Sequence, residues 1–250
     1  MRRLLLLLVL WPTCSWAAIP VIASSSYREL TDDTCRTVKP TGTVSGDLIV
    51  LICGQDRVNP GASDWALPTD FTLVQEKASN GADVDLAVFY KVAGASEPDS
   101  YLVYTGGAAV TCGMWALRIT GQHATPLNVV AGGSNVVGNT ITDTSITTTA
   151  DSCLAFAVGL FEGSDGGPID AITGTGWASV AVAEDEWGAG AAGAAIVYDT
   201  KAIPTAGATG NCVIDWASTT SDGNVGFQFA IRGTVAAAAG ATQIIFIGDD

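Results

Sequence analysis

The sequence has little positive charge: 11 Lys and Arg residues stand against 25 Asp and Glu residues, which gives a formal net charge of −14. Proteins that bind nucleic acid through its phosphates need a surplus of basic side chains, so this composition excludes that class. The same acidic surface repels anionic lipid headgroups. We therefore expect neither a nucleic-acid partner nor attraction to a membrane surface.

Long apolar runs are also missing. The apolar residues 4–10 follow two arginines and are too few to span a bilayer. Small residues then stand at Ser15 and Ala17, in the positions that signal peptidases recognise. We interpret residues 1–17 as a signal peptide cleaved before Ala18. The expected location is secreted or cell-surface, with a virion as the alternative, and no membrane span is expected.

Histidines and closely spaced cysteines, which commonly bind metals, are scarce. His123 is the only histidine, and no Cys-x-x-Cys pair occurs. The nucleophile-elbow, phosphate-loop, dinucleotide and zinc-protease motifs are absent from the sequence. Acidic groups such as Asp83 with Asp85 lack the spacing of a calcium-binding EF-hand, so we interpret them as solvated turns. A non-enzymatic protein without cofactor or metal is expected.

The cysteines predict a partly oxidised protein. Five of them remain after signal cleavage, and an odd number in an exported chain predicts up to two disulfides and one free thiol. We predict a Cys153–Cys212 bond, because both lie on strands of the second half and follow loops at the same repeat positions. Cys35–Cys112 is the companion pair in the first half, and Cys53 stays free. The alternative for each is a small buried apolar side chain.

Apolar residues recur with a period near two in short runs bounded by Gly, Pro, Asn, Asp and Thr, which is typical of strands. In the last run, the apolar residues from Val225 to Ile231 share one face. Polar and small residues share the other, so we expect one buried and one solvated face. The predicted strands cover residues 48–53, 71–76, 86–91, 114–120, 153–160, 194–200, 212–217 and 225–232.

The two halves of the chain resemble each other. Apolar runs follow both Ser45-Gly46-Asp47 and Ala150-Asp151-Ser152, and Thr69-Asp70-Phe71 matches Thr175-Gly176-Trp177. We predict an all-β fold, an antiparallel β-sandwich of jelly-roll-like form built from two duplicated halves, residues 18–139 and 140–234. Whether the halves intertwine or form two packed sandwiches stays open. Residues 235–250 follow as an Ala-rich linker and a terminal strand.

Several motifs in the sequence have a familiar order. The motifs are Gly46-Asp47, Pro68-x-x-Phe71-Thr72-Leu73-Val74, Phe89-Tyr90-Lys91-Val92-Ala93, Glu97-Pro98-x-x-Tyr101, Ile119-x-Gly121, Pro126-Leu127 and Thr147-Thr148-Thr149-Ala150-Asp151. The pattern resembles a family of β-sandwich proteins that tailed bacteriophages and bacteria encode, described as tail, appendage or surface proteins. The resemblance covers about residues 20–233 and implies a structural or adhesive role without catalysis.

Two functional classes follow, a structural or adhesive protein and, as the alternative, a carbohydrate-binding module. Carboxylates beside an indole suit sugar hydroxyls and the apolar face of a sugar. The candidate ligand site therefore joins two loops, with the residues Asp56, Asp64, Trp65, Asp185, Glu186 and Trp187. The alternative is that Trp65 covers a core edge and Trp187 is a surface aromatic. The expected partner is a cell-surface glycan or protein.

The terminal strand Gln243–Ile247 follows the small-residue linker 235–242. A strand alone is unstable in water. We expect it either to pair with an edge of its own sheet or to pair with a neighbouring subunit and form a homo-oligomer.

Overall fold

The computed structural model describes residues 17–56, 65–79, 84–105, 110–130, 133–162, 169–177, 183–187, 194–216 and 223–234. Every regular element in these ranges is a β-strand, which confirms the all-β prediction. None of these residues forms a helix able to cross a membrane. Residues 1–16 of the predicted signal peptide 1–17 and the segment 235–250 lie outside the described residues.

All eight predicted strands are present, and eight further strands accompany them. The strands are β1 (Val21–Asp32), β2 (Thr34–Val38), β3 (Leu48–Asp56), β4 (Thr72–Ala78), β5 (Val84–Val92), β6 (Ser100–Tyr104), β7 (Val110–Thr120), β8 (Gln122–Val130), β9 (Ser134–Val137), β10 (Thr140–Asp143), β11 (Cys153–Glu162), β12 (Ile169–Thr173), β13 (Ala183–Trp187), β14 (Ala194–Ile203), β15 (Cys212–Trp216) and β16 (Gly223–Gly233).

The strands form two large and two small sheets. One large sheet has five strands in the order β1-β7-β3-β5-β4. The other has six strands, in the order β13-β14-β11-β16-β8 with β9 also paired to β16. The small sheets are β2-β6 and β10-β15-β12. Neighbouring strands run antiparallel, a pattern that short turns can connect.

Three apolar cores hold the sheets together. Alternate residues of β7 serve two of them: Leu117 and Ile119 belong to the core shared by the two large sheets, whereas Met114 and Ala116 belong to the core under β2 and β6. The six-stranded sheet likewise shares a third core with β10-β15-β12. Both faces of each large sheet are therefore covered, which explains the continuous apolar run of β3.

The predicted solvated face of β16 is wrong. Gln228 and Asn224 on that face are 0% exposed, because the three-stranded sheet covers them. The side-chain amide of Gln228 donates to the carbonyl oxygens of Asp143 and Gly210, at 3.1 and 3.0 Å. A polar residue that alternates with apolar ones is compatible with a solvated face. It is equally compatible with a covered face where hydrogen bonds satisfy it.

One of the two predicted disulfides is present. Cys35 on β2 is bonded to Cys112 on β7, with their Cα atoms 5.9 Å apart, and Cys53 is free and buried as predicted. The predicted Cys153–Cys212 bond is wrong, since both thiols are free and buried. The thiol of Cys153 instead donates to the Ala150 carbonyl at 3.1 Å.

Candidate functional site

The residues of the candidate ligand site in the first half lie at the end of β3 and beyond it. Asp56 is the last residue of β3, and Asp64 lies outside the described residues. Trp65 is only 6% exposed and belongs to the core under β2 and β6. Its indole therefore covers a core edge and offers no open ring face to a sugar.

The second-half part of that site lies on β13. The backbones of Asp185, Glu186 and Trp187 pair with Ile196, Ala195 and Ala194 at the edge of the six-stranded sheet, and their side chains lie outside the described residues. The five-stranded sheet stands between this sheet and the core that holds Trp65. The structure therefore does not bring Trp65 and β13 together.

Metal ligands are not clustered in the described residues: no group of three His, Cys, Asp or Glu side chains there could hold an ion. Asp85, which the sequence placed in a solvated turn, is instead fully buried on β5. Its carboxylate accepts a hydrogen bond from Gln55 at 3.3 Å. The ring of His123 accepts a bond from the Thr125 amide at 3.0 Å, a local turn contact.

A cleft of about 290 Å³ opens between the turn before β4 and the first residues of β6, and we call it the outer cleft. Its turn wall is fixed by the Phe71 amide, which donates to the Pro68 carbonyl at 3.1 Å. Asp70 within this turn has a φ of 65°, a conformation that Asp tolerates better than most residues. The walls of the outer cleft include Pro68, Phe71, Lys91, Ser100, Tyr101 and Leu102.

An ion pair stands beside the outer cleft. The Lys91 ammonium lies 3.1 Å from Glu97 Oε2, and both side chains are largely buried. The Gly94 amide donates to Glu97 Oε1 at 2.7 Å, and the Tyr101 hydroxyl donates to Oε2 at 3.2 Å. Burial opposes ionisation of Glu97, but the Gly94 and Lys91 donors outweigh it and lower the pKa of Glu97. Burial, together with the Glu97 charge, raises the pKa of Tyr101.

In these protonation states, the contacts of Glu97 with Lys91, Gly94 and Tyr101 hold the loop between β5 and β6 in place. Glu97 is ionised and Tyr101 protonated at neutral pH, and every oxygen of Glu97 already accepts a hydrogen bond. The Lys91 ammonium also lies 5.3 Å from the centroid of the Phe71 ring. The arrangement positions the walls of the cleft and leaves no group poised for proton transfer.

The second half repeats this arrangement with a larger ring. Lys201 lies 5.8 Å from the centroid of Trp177, and it donates to the carbonyl of Thr175 at 2.6 Å and to that of Thr209. The Trp177 indole is 1% exposed and donates to the carbonyls of Thr209 and Gly210, both at 3.2 Å. Backbone carbonyls therefore bind the Lys201 ammonium beside its aromatic ring, as the Glu97 carboxylate binds the Lys91 ammonium.

Exposed apolar side chains gather beside the outer cleft. Val38, Leu102 and Tyr104 are 54%, 37% and 55% exposed, on the face of β2 and β6 that points away from the core. Leu67 is also 58% exposed, but it follows Ala66, which pairs with Tyr104, so alternation turns its side chain away from that of Tyr104. We call Val38, Leu102 and Tyr104 the apolar outer face. Among the residues whose side-chain exposure is described, every exposed large apolar side chain lies between residues 21 and 104.

Sequence reasoning missed the apolar outer face. Its residues lie on strands of only five residues each, and each strand exposes Val, Leu or Tyr at alternate positions. Alternation alone predicts that such apolar residues point inward. The signal that was available is the polar neighbour Arg36, which pairs with Leu102 and shares its exposed side of the sheet.

No protein-family description, curated protein or solved structure matches this chain. The resemblance to phage and bacterial surface proteins therefore stays a prediction from the sequence motifs.

Proposed function

We propose that this chain is a non-enzymatic structural or adhesive protein of the cell exterior, which holds a protein partner through its apolar outer face. The observation that carries the proposal is the exposure of Val38, Leu102 and Tyr104 at neighbouring positions on one side of β2 and β6. Contiguous apolar surface on a folded protein commonly marks an interaction site. Arg36 pairs with Leu102 on the same exposed side of the sheet, so a polar side chain borders the apolar ones.

We also propose that the chain consists of two duplicated β-sandwich halves. The order β1-β7-β3-β5-β4 corresponds strand by strand, in chain sequence, to β8-β16-β11-β14-β13. The turn bond from Phe71 to Pro68 has its counterpart from Trp177 to Gly174, at 3.1 Å in both. This matching order supports two packed sandwiches in preference to one intertwined jelly roll.

The proposed exterior location is supported by the Cys35–Cys112 bond, because disulfides persist in oxidising compartments. The signal-peptide pattern of residues 1–17 points the same way. A phage particle is the alternative location, as the motif resemblance implies.

A binding assay with matched variants tests the adhesive role. The triple variant Val38→Thr, Leu102→Thr and Tyr104→Ser is compared with Leu73→Thr and Val92→Thr, which alter apolar residues exposed elsewhere, on β4 and β5. Labelled protein is incubated with intact cells of the source and with its culture-medium proteins. We expect the triple variant to lose binding at least about tenfold, while the control binds as the wild type does. Equal binding by folded samples of both variants would refute the proposal.

Carbohydrate binding is a second candidate, which one observation favours. The Tyr104 ring is 55% exposed and pairs across the strands with Thr34, so an aromatic face stands beside a hydroxyl. A glycan array probed with wild type and Tyr104→Ala separates the two functions. Glycan spots that disappear with Tyr104→Ala support the carbohydrate module, and an empty array alongside protein binding supports the adhesive role.

A further inference from the structure

One edge of β6 is open in the described structure. The Thr105 amide donates to Asp33, and the Lys39 amide donates to the Asp99 carbonyl, so the odd-numbered residues around β6 face β2. Residues 100, 102 and 104 therefore point their N–H and C=O groups the other way. On that side, the described residues supply a single bond, from the Ala66 amide to the Tyr104 carbonyl at 3.0 Å.

The second half has a full strand at the corresponding place. There β15 is flanked by β10 on one side and by β12 on the other, with pairs that include Ile172 with Ile214 and Thr173 with Val213. In the first half, Pro68 follows soon after Ala66 and has no N–H to donate. The chain turns away there, and the outer cleft lies along the open edge from Ser100 to Leu102.

We propose that this open edge, within the outer cleft, is the docking site for the chain's own segment Gln243–Ile247, which adds to β6 as a third strand. The segment is rich in Ile and Phe, residues that favour strands. Strand addition satisfies the free backbone groups of an edge, and the apolar side chains of the added strand gain contacts such as Leu102 offers. This proposal does not depend on the adhesive role.

The last described residue, Thr234, lies near the outer cleft, which favours the chain's own C-terminal segment as the occupant. The Thr234 amide donates to the Gly121 carbonyl, Gln122 donates to Gly46, and the Gly46 amide donates to the Ala93 carbonyl. Ala93 follows closely after Lys91 of the outer cleft. The chain therefore leaves β16 at the end of the molecule where the cleft lies.

The linker is long enough for this docking. Residues 235–242 extend to roughly 26 Å at about 3.3 Å per residue. Crossing from the six-stranded sheet past the five-stranded one to β6 requires roughly 20 Å, two sheet spacings of about 10 Å. A short linker that spans its site gives an effective concentration on the order of millimolar, so the same chain outcompetes a second copy at micromolar protein.

Amide hydrogen exchange on the full chain tests the docking. Ile245→Pro removes a donor from the segment, whereas Ala238→Pro in the linker is the matched control. We expect the Leu102 amide, which faces the cleft, to exchange at least about tenfold faster in Ile245→Pro than in the wild type or the control. The Val103 amide, which faces β2, keeps its rate in all three proteins. Equal Leu102 rates in wild type and Ile245→Pro would overturn the proposal.

Light scattering distinguishes the source of the segment. A monomer whose Leu102 protection is independent of concentration supports docking within one chain. Protection that appears only with a concentration-dependent dimer or larger assembly overturns it, since the segment would then come from a second copy.

Discussion

The two halves of the molecule fasten their small sheets to their large sheets by different chemistry. In the first half the Cys35–Cys112 bond joins β2 to β7. In the second half Gln228 of β16 reaches the backbone of Asp143 and Gly210, and it accepts a bond from the Thr209 hydroxyl at 2.6 Å. The first fastening depends on the redox environment, whereas the second requires that every buried polar group finds its partner.

The lysine–aromatic pair of the second half is also more fully enclosed than that of the first half. Lys201 is held by backbone carbonyls above the buried Trp177, while Lys91 relies on Glu97 above the smaller Phe71, beside an open cleft. The exposed apolar side chains also lie in the first half of the described chain. The apolar surface that we propose as a partner-binding site therefore lies in the first half of the described chain.

Removing the disulfide gives the largest expected loss. Cys35→Ser with Cys112→Ser opens a link between residues 77 apart in sequence, and we expect the free energy of unfolding to fall by about 4 kcal/mol. Denaturant unfolding measures it. The control Cys153→Ala removes a free thiol and should cost about 1 kcal/mol. Similar losses in both proteins would mean that the bond is not what fastens the first half.

Gln228→Met tests the hydrogen-bonded fastening of the second half. The substitution removes the Gln228 bond to the Asp143 carbonyl and the Gln228 acceptor of the Thr209 hydroxyl, whereas the Gly210 carbonyl keeps its bond from Trp177, so we expect a loss of about 2 kcal/mol. Gln122→Met, at a partly exposed position, should change stability by less than about 0.5 kcal/mol. A loss below about 1 kcal/mol for Gln228→Met would show that packing alone holds the sheets together.

Asp143→Asn tests how the stability of the second half depends on pH. Burial raises the pKa of Asp143 well above its ordinary value, outweighing the bond from Ser134. The folded state thus holds this proton more tightly than the unfolded chain. Its stabilising effect is complete below about pH 4 and is lost as pH rises through the raised pKa. We expect Asp143→Asn to become progressively more stable than the wild type as pH rises, measured by urea unfolding at several pH values. A constant difference would contradict this.

Glu97→Gln should have the smallest effect and the opposite pH dependence. The lowered pKa of Glu97 means that its contribution is present above about pH 4.3 and is lost as pH falls through the folded-state pKa. At pH 7 we expect a loss of about 1 kcal/mol, which shrinks on acidification. Asp99→Asn is the control, since its fully exposed carboxylate lies 3.7 Å from Lys39 and should contribute almost nothing. Equal effects of the two substitutions would mean that the Lys91–Glu97 ion pair does not stabilise the first half.

The strands that could be predicted are those whose burial dominates their composition, such as β3 and β11, with nearly every residue buried. β1 was missed, because a run of serines carries no apolar period and the strand is defined by its long pairing with β7. The Cys35–Cys112 pair was predicted on the thin ground of a shared half, and the same kind of argument failed for Cys153 and Cys212. Which small sheet covers which large one is a tertiary fact that local spacing does not contain.

The candidate site was harder to predict than the fold. An aromatic residue in a Gly- and Asp-rich stretch reads as a surface residue, yet Trp65 is buried because β2 and β6 fold over it. The outer cleft arises from a turn at Pro68, an ion pair at Lys91 and a strand edge at Ser100, which are distant in sequence. No single sequence motif predicts that these three segments come together.

The bridge between Ala18 and Thr234 makes the described fold almost a closed ring. The Ala18 amide donates to the Thr234 carbonyl at 3.2 Å, so the first and last strands begin and finish side by side. A few residues joining these two positions would close the ring without stretching it, and the chain could then be opened at Gly121, between β7 of one large sheet and β8 of the other. Such a circular permutant would keep every strand pairing while reversing the order in which the two halves leave the ribosome.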